Sequence, residues 1–301
     1  LSLQELTAAG ITDPKLQESY QLCRKLNAEH GKTYFLATRL LPPAKRPYVH
    51  ALYGFARYAD EIVDDLASTL TATQKAEQLN SWGEAVLADL KRGHSADPVA
   101  AALVDTVNRW NIPIAHIEAF LKSMRMDLTV TEYQTYEDLY EYVYGSAAVI
   151  GLQMVPILEP SSDLAYEPAK NLGIAFQLAN FIRDINEDLD RGRIYLPLED
   201  LERFGVTKAD LHARKLTNPI RDLIKFEISR VRQLEQKSIP GIKLLSPASQ
   251  PCIDAARILY CGIVGAVEEI DYQVFKKRAK VSNLRRIKVA GKAWIEARKY
   301  F

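Results

Sequence analysis

The sequence predicts an all-α protein, a single-domain helical bundle closed around a central cavity. Three observations carry this. The 14 prolines are bunched, leaving proline-free stretches at 48–97, 114–155, 169–196, 220–239 and 252–301. Within those stretches apolar residues recur at spacings of three and four instead of alternating, which is the period of a helix buried on one face. Nothing reads as a β-branched strand run, and no Asn-Gly or Asp-Gly dipeptide marks a hairpin. No internal period and no low-complexity segment is present, which argues against a solenoid. With 301 residues, 48% hydrophobic and 26% charged, the chain has the profile of a soluble globular protein. We expect one domain over residues 1–301, with ten or so helices and functional groups facing inward from several of them.

The elements follow in order. Thr12-Asp13-Pro14 opens the first long helix, with an N-cap acid and a proline at the first helical position. A proline joint at 42–47 separates it from the helical stretch beginning at 48. Ser95-Ala96-Asp97-Pro98 starts another helix, and Thr135 with Asp138 three residues on has capping-box spacing. The longest uncharged run, 142–158, is seventeen residues interrupted by Ser146, Gln153 and Pro156. That is short for a membrane span and reads as a buried helix. Further joints at 156–168, at Pro240 and at 247–251 separate the remaining helices.

Charge is unevenly placed. Residues 276–301 carry ten Lys/Arg and one Glu, or +9, so the net +1 of the chain leaves −8 on residues 1–275. A basic C-terminal segment on an acidic body suits contact with anionic lipid or an anionic ligand, or is simply a solvated basic helix. No nucleic-acid partner is expected. Three cysteines (Cys23, Cys252, Cys261) without a Cys-x-x-Cys pair predict a reducing compartment and no structural zinc. No signal peptide is expected from the opening residues, so the expected location is cytoplasmic, peripheral at the inner face of the membrane.

Two segments carry the chemistry. In the first, Tyr53, Arg57, Asp60 and Asp64 fall on one helical stripe, and the two aspartates, four apart, stack with β-carbons about 6 Å apart. In the second, Gln177 and Asn180 are the only polar side chains between Leu172 and Ile182, and they align with Asp184 and Asp188. An isolated carboxylate pair at this spacing is ordinarily a solvated face. Two pairs, each continuing a polar stripe on an apolar helix, are not explained that way, because unpaired buried amides and carboxylates are costly. Facing carboxylates resist ionising together unless cations sit between them. Oxygen-only ligands point to Mg²⁺, or Mn²⁺, bridging to substrate phosphates.

Rival sites drop out. None of the five histidines has a Glu three residues before it, which excludes the di-iron bundle motif. There is no His-Glu-x-x-His and no Walker loop, and Gly262 with Gly265 makes no dinucleotide fingerprint. What remains is Mg²⁺-dependent chemistry on a diphosphate.

The sequence resembles the phytoene/squalene synthase family over about residues 20–290. The resemblance rests on Tyr53-x-x-x-Arg57-x-x-Asp60-x-x-x-Asp64, on Gln177-x-x-Asn180-x-x-Arg183-Asp184-x-x-x-Asp188, and on the Arg191-Gly192-Arg193-Ile194-Tyr195-Leu196-Pro197 run that follows. The wording is closest to bacterial members, the actinobacterial kind above all. The resemblance implies an isoprenoid synthase fold and a Mg²⁺ cluster on Asp60, Asp64, Asp184 and Asp188. It assigns Gln177 and Asn180 to polar contacts there and Arg57, Arg183, Arg193 and Tyr195 to the diphosphate side of the site. His30 and Thr33 match a further diphosphate contact, with Gly31 standing where a serine is usual. Tyr142 and the small run from Gly145 through Ser146 to Gly151 match the helix lining the prenyl tunnel. Tyr260 matches an aromatic near the reacting carbons, and Lys277, with Arg278 beside it, a position where the family often has arginine.

The chemistry suits the residues. Ionising an allylic diphosphate needs charge neutralisation on the leaving group in a dry cavity, and aromatic faces such as Tyr53, Tyr142 and Tyr260 can steady the cation. The implied reaction is head-to-head (1–1′) condensation of two geranylgeranyl diphosphates to phytoene without NADPH. The alternatives are farnesyl diphosphate giving squalene or dehydrosqualene, and prenyl transfer to a non-isoprenoid acceptor. The sequence does not specify an oligomeric state.

Overall fold

The computed structural model describes residues 2–64 and 70–300, the side chains of Ser2 and Asp64 apart. Helix α1 (Ser2–Ala8) is short. Helix α2 (Pro14–His30) opens as expected, with the Leu16 amide donating to Asp13 Oδ1 at 2.8 Å and Pro14 at the first position. A one-residue break at Gly31 leads into α3 (Lys32–Thr38), and the proline joint into α4 (Arg46–Asp64). Helix α5 (Ala72–Arg92) has a capping box from Thr71 and Gln74 and ends at Gly93, left-handed at φ 81°.

Helix α6 (Ala100–Trp110) starts where Asp97 Oδ1 accepts from the amides of Val99 and Ala100, as the Ser95–Pro98 signal predicts. Helix α7 (Ile114–Met126) follows, and α8 (Tyr136–Val143) has the capping box expected at Thr135 and Asp138. A single π turn, Tyr144–Ala148, then joins α8 to α9 (Val149–Ile157). Helices α10 (Tyr166–Asp190) and α13 (Asn218–Ile242) are the longest and pack along one another. Between them lie the short α11 (Leu198–Arg203) and α12 (Lys208–His212). The chain closes with α14 (Gln250–Tyr260), α15 (Gly262–Glu269) and α16 (Asn283–Ala297).

Sixteen α-helices among the described residues exceed the ten or so expected. The surplus is short helices, separated by turns that need no proline: Gly205 and Arg214, for example, adopt φ of 65° and 52°. Five to eight residues are too few to display a helical period.

Two apolar clusters fill the bundle. One gathers α2, α4, α5, α6 and α7, with Leu41, Phe55, Leu103 and Leu121 fully buried. The other gathers α8, α10, α13 and α15, with Leu139, Ile182, Leu223 and Val267. The π turn lies between them. A β-carbon on Gly145 would strike the Ala119 carbonyl oxygen of α7, and one on Gly173 would lie 2.5 Å from the Ala147 oxygen. Glycine at these two positions therefore lets α7 and α10 approach the π turn to backbone contact. Among the described residues no helix is long and apolar enough to cross a membrane.

Candidate active site

Two chambers meet between α3, α10 and α14. The first is apolar, ≈ 250 Å³. Its walls are the π turn and α9 (Ser146, Ile150, Met154), α10 (Leu172, Phe176) and α14 (Ala256). Gln177 and Ser146 are among its few polar residues, and the Ser146 hydroxyl is buried without a hydrogen-bond partner. The second chamber, ≈ 620 Å³, is cationic. His30, Lys32, Arg183, Arg278, Lys280 and Arg286 line it, with Thr33, Tyr53 and Asn180. Tyr34 and Tyr260 line both chambers and mark the junction. The Tyr260 ring stacks on Phe176 at 4.7 Å, and Tyr34 packs against Tyr53 at 5.4 Å.

Helix α10 serves both chambers because of its polar stripe. Gln177 faces the apolar one and Asn180 and Arg183 the cationic one, while Ile174, Leu178 and Ile182 pack in the core. Asn180 Oδ1 is buried with no partner of its own. Leaving such an atom unpaired is costly, so a polar ligand is its natural complement.

The carboxylates sit beside these cations. Asp184 accepts from Arg183 at 2.7 and 2.5 Å and from Arg278 at 2.9 and 3.0 Å. Burial opposes its ionisation, but the hydrogen bonds from Arg183 and Arg278 outweigh that and hold its carboxyl below the usual range. One turn on, Asp188 goes the other way: burial first, and the Asp184 charge second, push it up to about 7. On α4, Arg57 donates to Asp60 at 2.5 Å and to Glu61 at 3.2 Å, and His30 Nε2 lies 3.4 Å from the same Glu61. Asp64 is the last residue of α4, and its side chain lies outside the described residues.

The donor set suits a divalent cation in kind. All four aspartates offer oxygen only, and Asp188, pushed up by burial and by Asp184, is a carboxylate that a cation would relieve. The family resemblance implies one cluster drawn from both pairs, and of its four members the Asp64 side chain lies outside the described residues. Among the described residues no three acidic, histidine or cysteine side chains come together as a cation site. Asp60 and Asp184 are each paired with arginine, Arg57 on one side and Arg183 with Arg278 on the other.

Three expected contacts sit elsewhere. Tyr142 lines neither chamber. Its hydroxyl donates to Asp127 Oδ2 at 3.0 Å within a stack of Tyr133, Phe181 and Tyr195. Tyr195 donates to Asp127 Oδ1 at 3.3 Å, and its ring lies 4.1 Å from that of Phe181. Arg193 donates to the Asp127 carbonyl at 2.8 Å. All three therefore converge on Asp127, which sequence reasoning missed because a lone acid after α7 has no pattern around it. A fourth case is register. Lys277 is exposed and lines neither chamber, whereas its neighbour Arg278 holds Asp184 and lies 3.0 Å from Glu187. Lys280, Arg286 and Tyr34 were missed too; the basic composition of 276–301 was the only signal for the first two.

A β-carbon at Gly31 would lie 2.6 Å from Tyr53 Cζ and 2.7 Å from Asn27 Oδ1. The missing serine is thus matched by a Tyr53 ring that occupies the space.

Comparison with known proteins agrees with this architecture. The squalene/phytoene synthase sequence profile matches residues 27–285. A 15-cis-phytoene synthase of Synechocystis is 36% identical over 294 residues, covering 94% of this chain and 86% of that protein. Phytoene synthase 1 of Arabidopsis thaliana, a chloroplast protein, is 38% identical over 279 residues; these cover 90% of this chain but only 65% of that longer protein. These relatives are cyanobacterial and plant proteins and do not single out the actinobacterial kind. The crystal structure of a dehydrosqualene synthase with bound ligand superposes with a TM-score of 0.84 at 26% identity, covering 95% of this chain and 98% of that one. The chain is therefore an enzyme of the squalene/phytoene synthase family.

Proposed function

We propose that the protein condenses two prenyl diphosphates head to head (1–1′), with geranylgeranyl diphosphate as substrate and phytoene as product. The observation that carries this reading is the pairing of the chambers: an apolar one for hydrocarbon and a cationic one for diphosphate, sharing Tyr34 and Tyr260 at their junction. A prenyl diphosphate has the same two halves in the same order.

Mg²⁺ held by Asp60, Asp64, Asp184 and Asp188 would supply Lewis-acid neutralisation of the diphosphate. The chain's own residues do the rest. Arg183, Arg278, Lys280 and Arg286 bind diphosphate oxygens in the cationic chamber, and Asn180 Oδ1 offers an acceptor there. The apolar walls exclude water, so that charge interactions at the junction are strong and the carbocation is not quenched. Tyr260, buttressed by Phe176, and Tyr34 with Tyr53 present ring faces where the C1 cation develops.

In the first half-reaction the C1–O bond of one substrate breaks and its diphosphate leaves. C1 then alkylates the C2–C3 double bond of the other substrate, and proton loss closes a cyclopropane. In the second, the remaining diphosphate leaves, the skeleton rearranges and a proton is lost. No electron donor is required. The C20 substrate is supported by the names of the sequence relatives at 36–38% identity.

The test is incubation with Mg²⁺ and without NADPH, offering labelled farnesyl and geranylgeranyl diphosphates separately and extracting for mass spectrometry. A C40 hydrocarbon from the C20 substrate is expected. A C30 hydrocarbon from farnesyl diphosphate alone would reassign the chain length, and no coupling of either would point to a foreign acceptor.

A further inference from the structure

Helix α16 is two-faced in an unusual way. Its inner face buries Ala293 and Ala297 and packs on α14. Its outer face is not simply polar: Leu284 is 78% exposed, Ile287 70%, Ile295 63% and Trp294 50%. At about 100° per residue these four fall within an arc of roughly 100°, opposite the buried alanines. Lys288, Lys292 and Lys299 border that stripe, and Arg298 lies 4.5 Å over the Trp294 ring. On its other side α16 meets α3, where Arg286 Nη2 donates to Thr33 Oγ1 at 3.4 Å. Four of the nine large apolar side chains exposed among the described residues thus sit on this one helix face.

We infer that the outer face of α16 is a docking surface for an anionic lipid bilayer. An apolar stripe bordered by lysines is how a helix lies in the interface, its apolar side chains among the acyl chains and its ammonium groups among anionic headgroups. A second copy of this chain suits the surface less well. A two-fold contact would place the lysine borders of both copies together, with Glu296 as the one acid on each α16. The inference stands on the surface itself and does not depend on which prenyl diphosphate is used.

The test uses the full chain and vesicles of phosphatidylcholine with and without phosphatidylglycerol. We expect co-sedimentation with the anionic vesicles that weakens with added salt, and a blue shift of tryptophan emission that Trp294→Phe removes. The triple variant Leu284→Ser, Ile287→Ser, Ile295→Ser should partition at least about tenfold less, with unchanged helicity and unchanged turnover of detergent-dispersed substrate. Charge reversal at Lys288, Lys292 and Lys299 should abolish the preference for anionic vesicles. Wild-type binding to neutral and anionic vesicles alike, or binding indifferent to both sets of substitutions, would overturn the inference. So would a dimer in sedimentation velocity that the triple serine variant converts to monomer, since that would make a second copy the occupant.

Discussion

Helices α10 and α16 make opposite exceptions to the burial rule. Helix α10 is buried, yet carries Gln177, Asn180, Asp184 and Asp188 down one side; α16 is a surface helix, yet turns Leu284, Ile287 and Ile295 to solvent. Each anomaly has a free-energy cost if nothing meets it, and the costs differ. An unpaired buried amide such as Asn180 loses about 1–3 kcal/mol, whereas an exposed leucine loses little and mainly risks association. The inner stripe therefore indicates chemistry and the outer stripe indicates a surface partner. His50 is the control: a buried polar group on α4 that already has its partner, Asn27 Nδ2 at 2.9 Å, and so indicates only stability.

The largest expected effect would break the inner stripe. Asp184→Ala or Asp60→Ala should lower turnover on the order of 10³-fold, by losing charge neutralisation on the leaving group, while circular dichroism stays helical. Wild-type turnover in either variant would remove the aspartates from the mechanism. A second substitution sharpens register. Arg278→Gln should cost about 10- to 100-fold in kcat/KM because it removes a bidentate partner of Asp184, and Lys277→Gln less than about twofold. Equal losses would show that the segment after Phe275 sits differently.

Smaller still is Gly31→Ser. Restoring the usual hydroxyl should raise KM several-fold, since the new β-carbon meets the Tyr53 ring and Asn27. A gain in activity would contradict the reading of Tyr53 as a wall of the chamber.

The smallest effect concerns the control. Burial first, then the charges of Arg24 and Arg46, push the His50 imidazole down to about 3 from its usual 6.5. The unfolded chain therefore takes up a proton near pH 6.5 that the folded chain refuses. Stability from this group is present above pH 6.5 and is lost as pH falls toward 3. His50→Gln should flatten that part of the curve of Tm against pH and leave kcat unchanged at neutral pH; an unaltered slope would mean that other groups dominate.

The inner half of this contrast was legible in the sequence. The stripes on α4 and α10 could be read because long helices repeat the same geometry, so polar residues at three and four spacing declare a shared side. What escaped lies where that period stops. Lys277 and Arg278 fall in a non-helical segment between α15 and α16, where nothing fixes which neighbour points inward. Tyr142 and Ser146 are four apart and would share a face on an α-helix, but the π turn begins at Tyr144 and its wider winding separates them. Ser146 reaches the apolar chamber and Tyr142 the Asp127 cluster. The basic composition of α16 was visible, but its outward apolar stripe was not, because only packing shows which of its two apolar sides is covered.

The most direct test of the account is calorimetric titration with a non-hydrolysable geranylgeranyl thiolodiphosphate, with and without Mg²⁺, on the wild-type chain and on Asp184→Ala. The account predicts Mg²⁺-dependent binding to the wild type that is lost in the variant, with both proteins folded. Equal binding in all four titrations would contradict it, for the diphosphate would then be held without the aspartates that define the inner stripe.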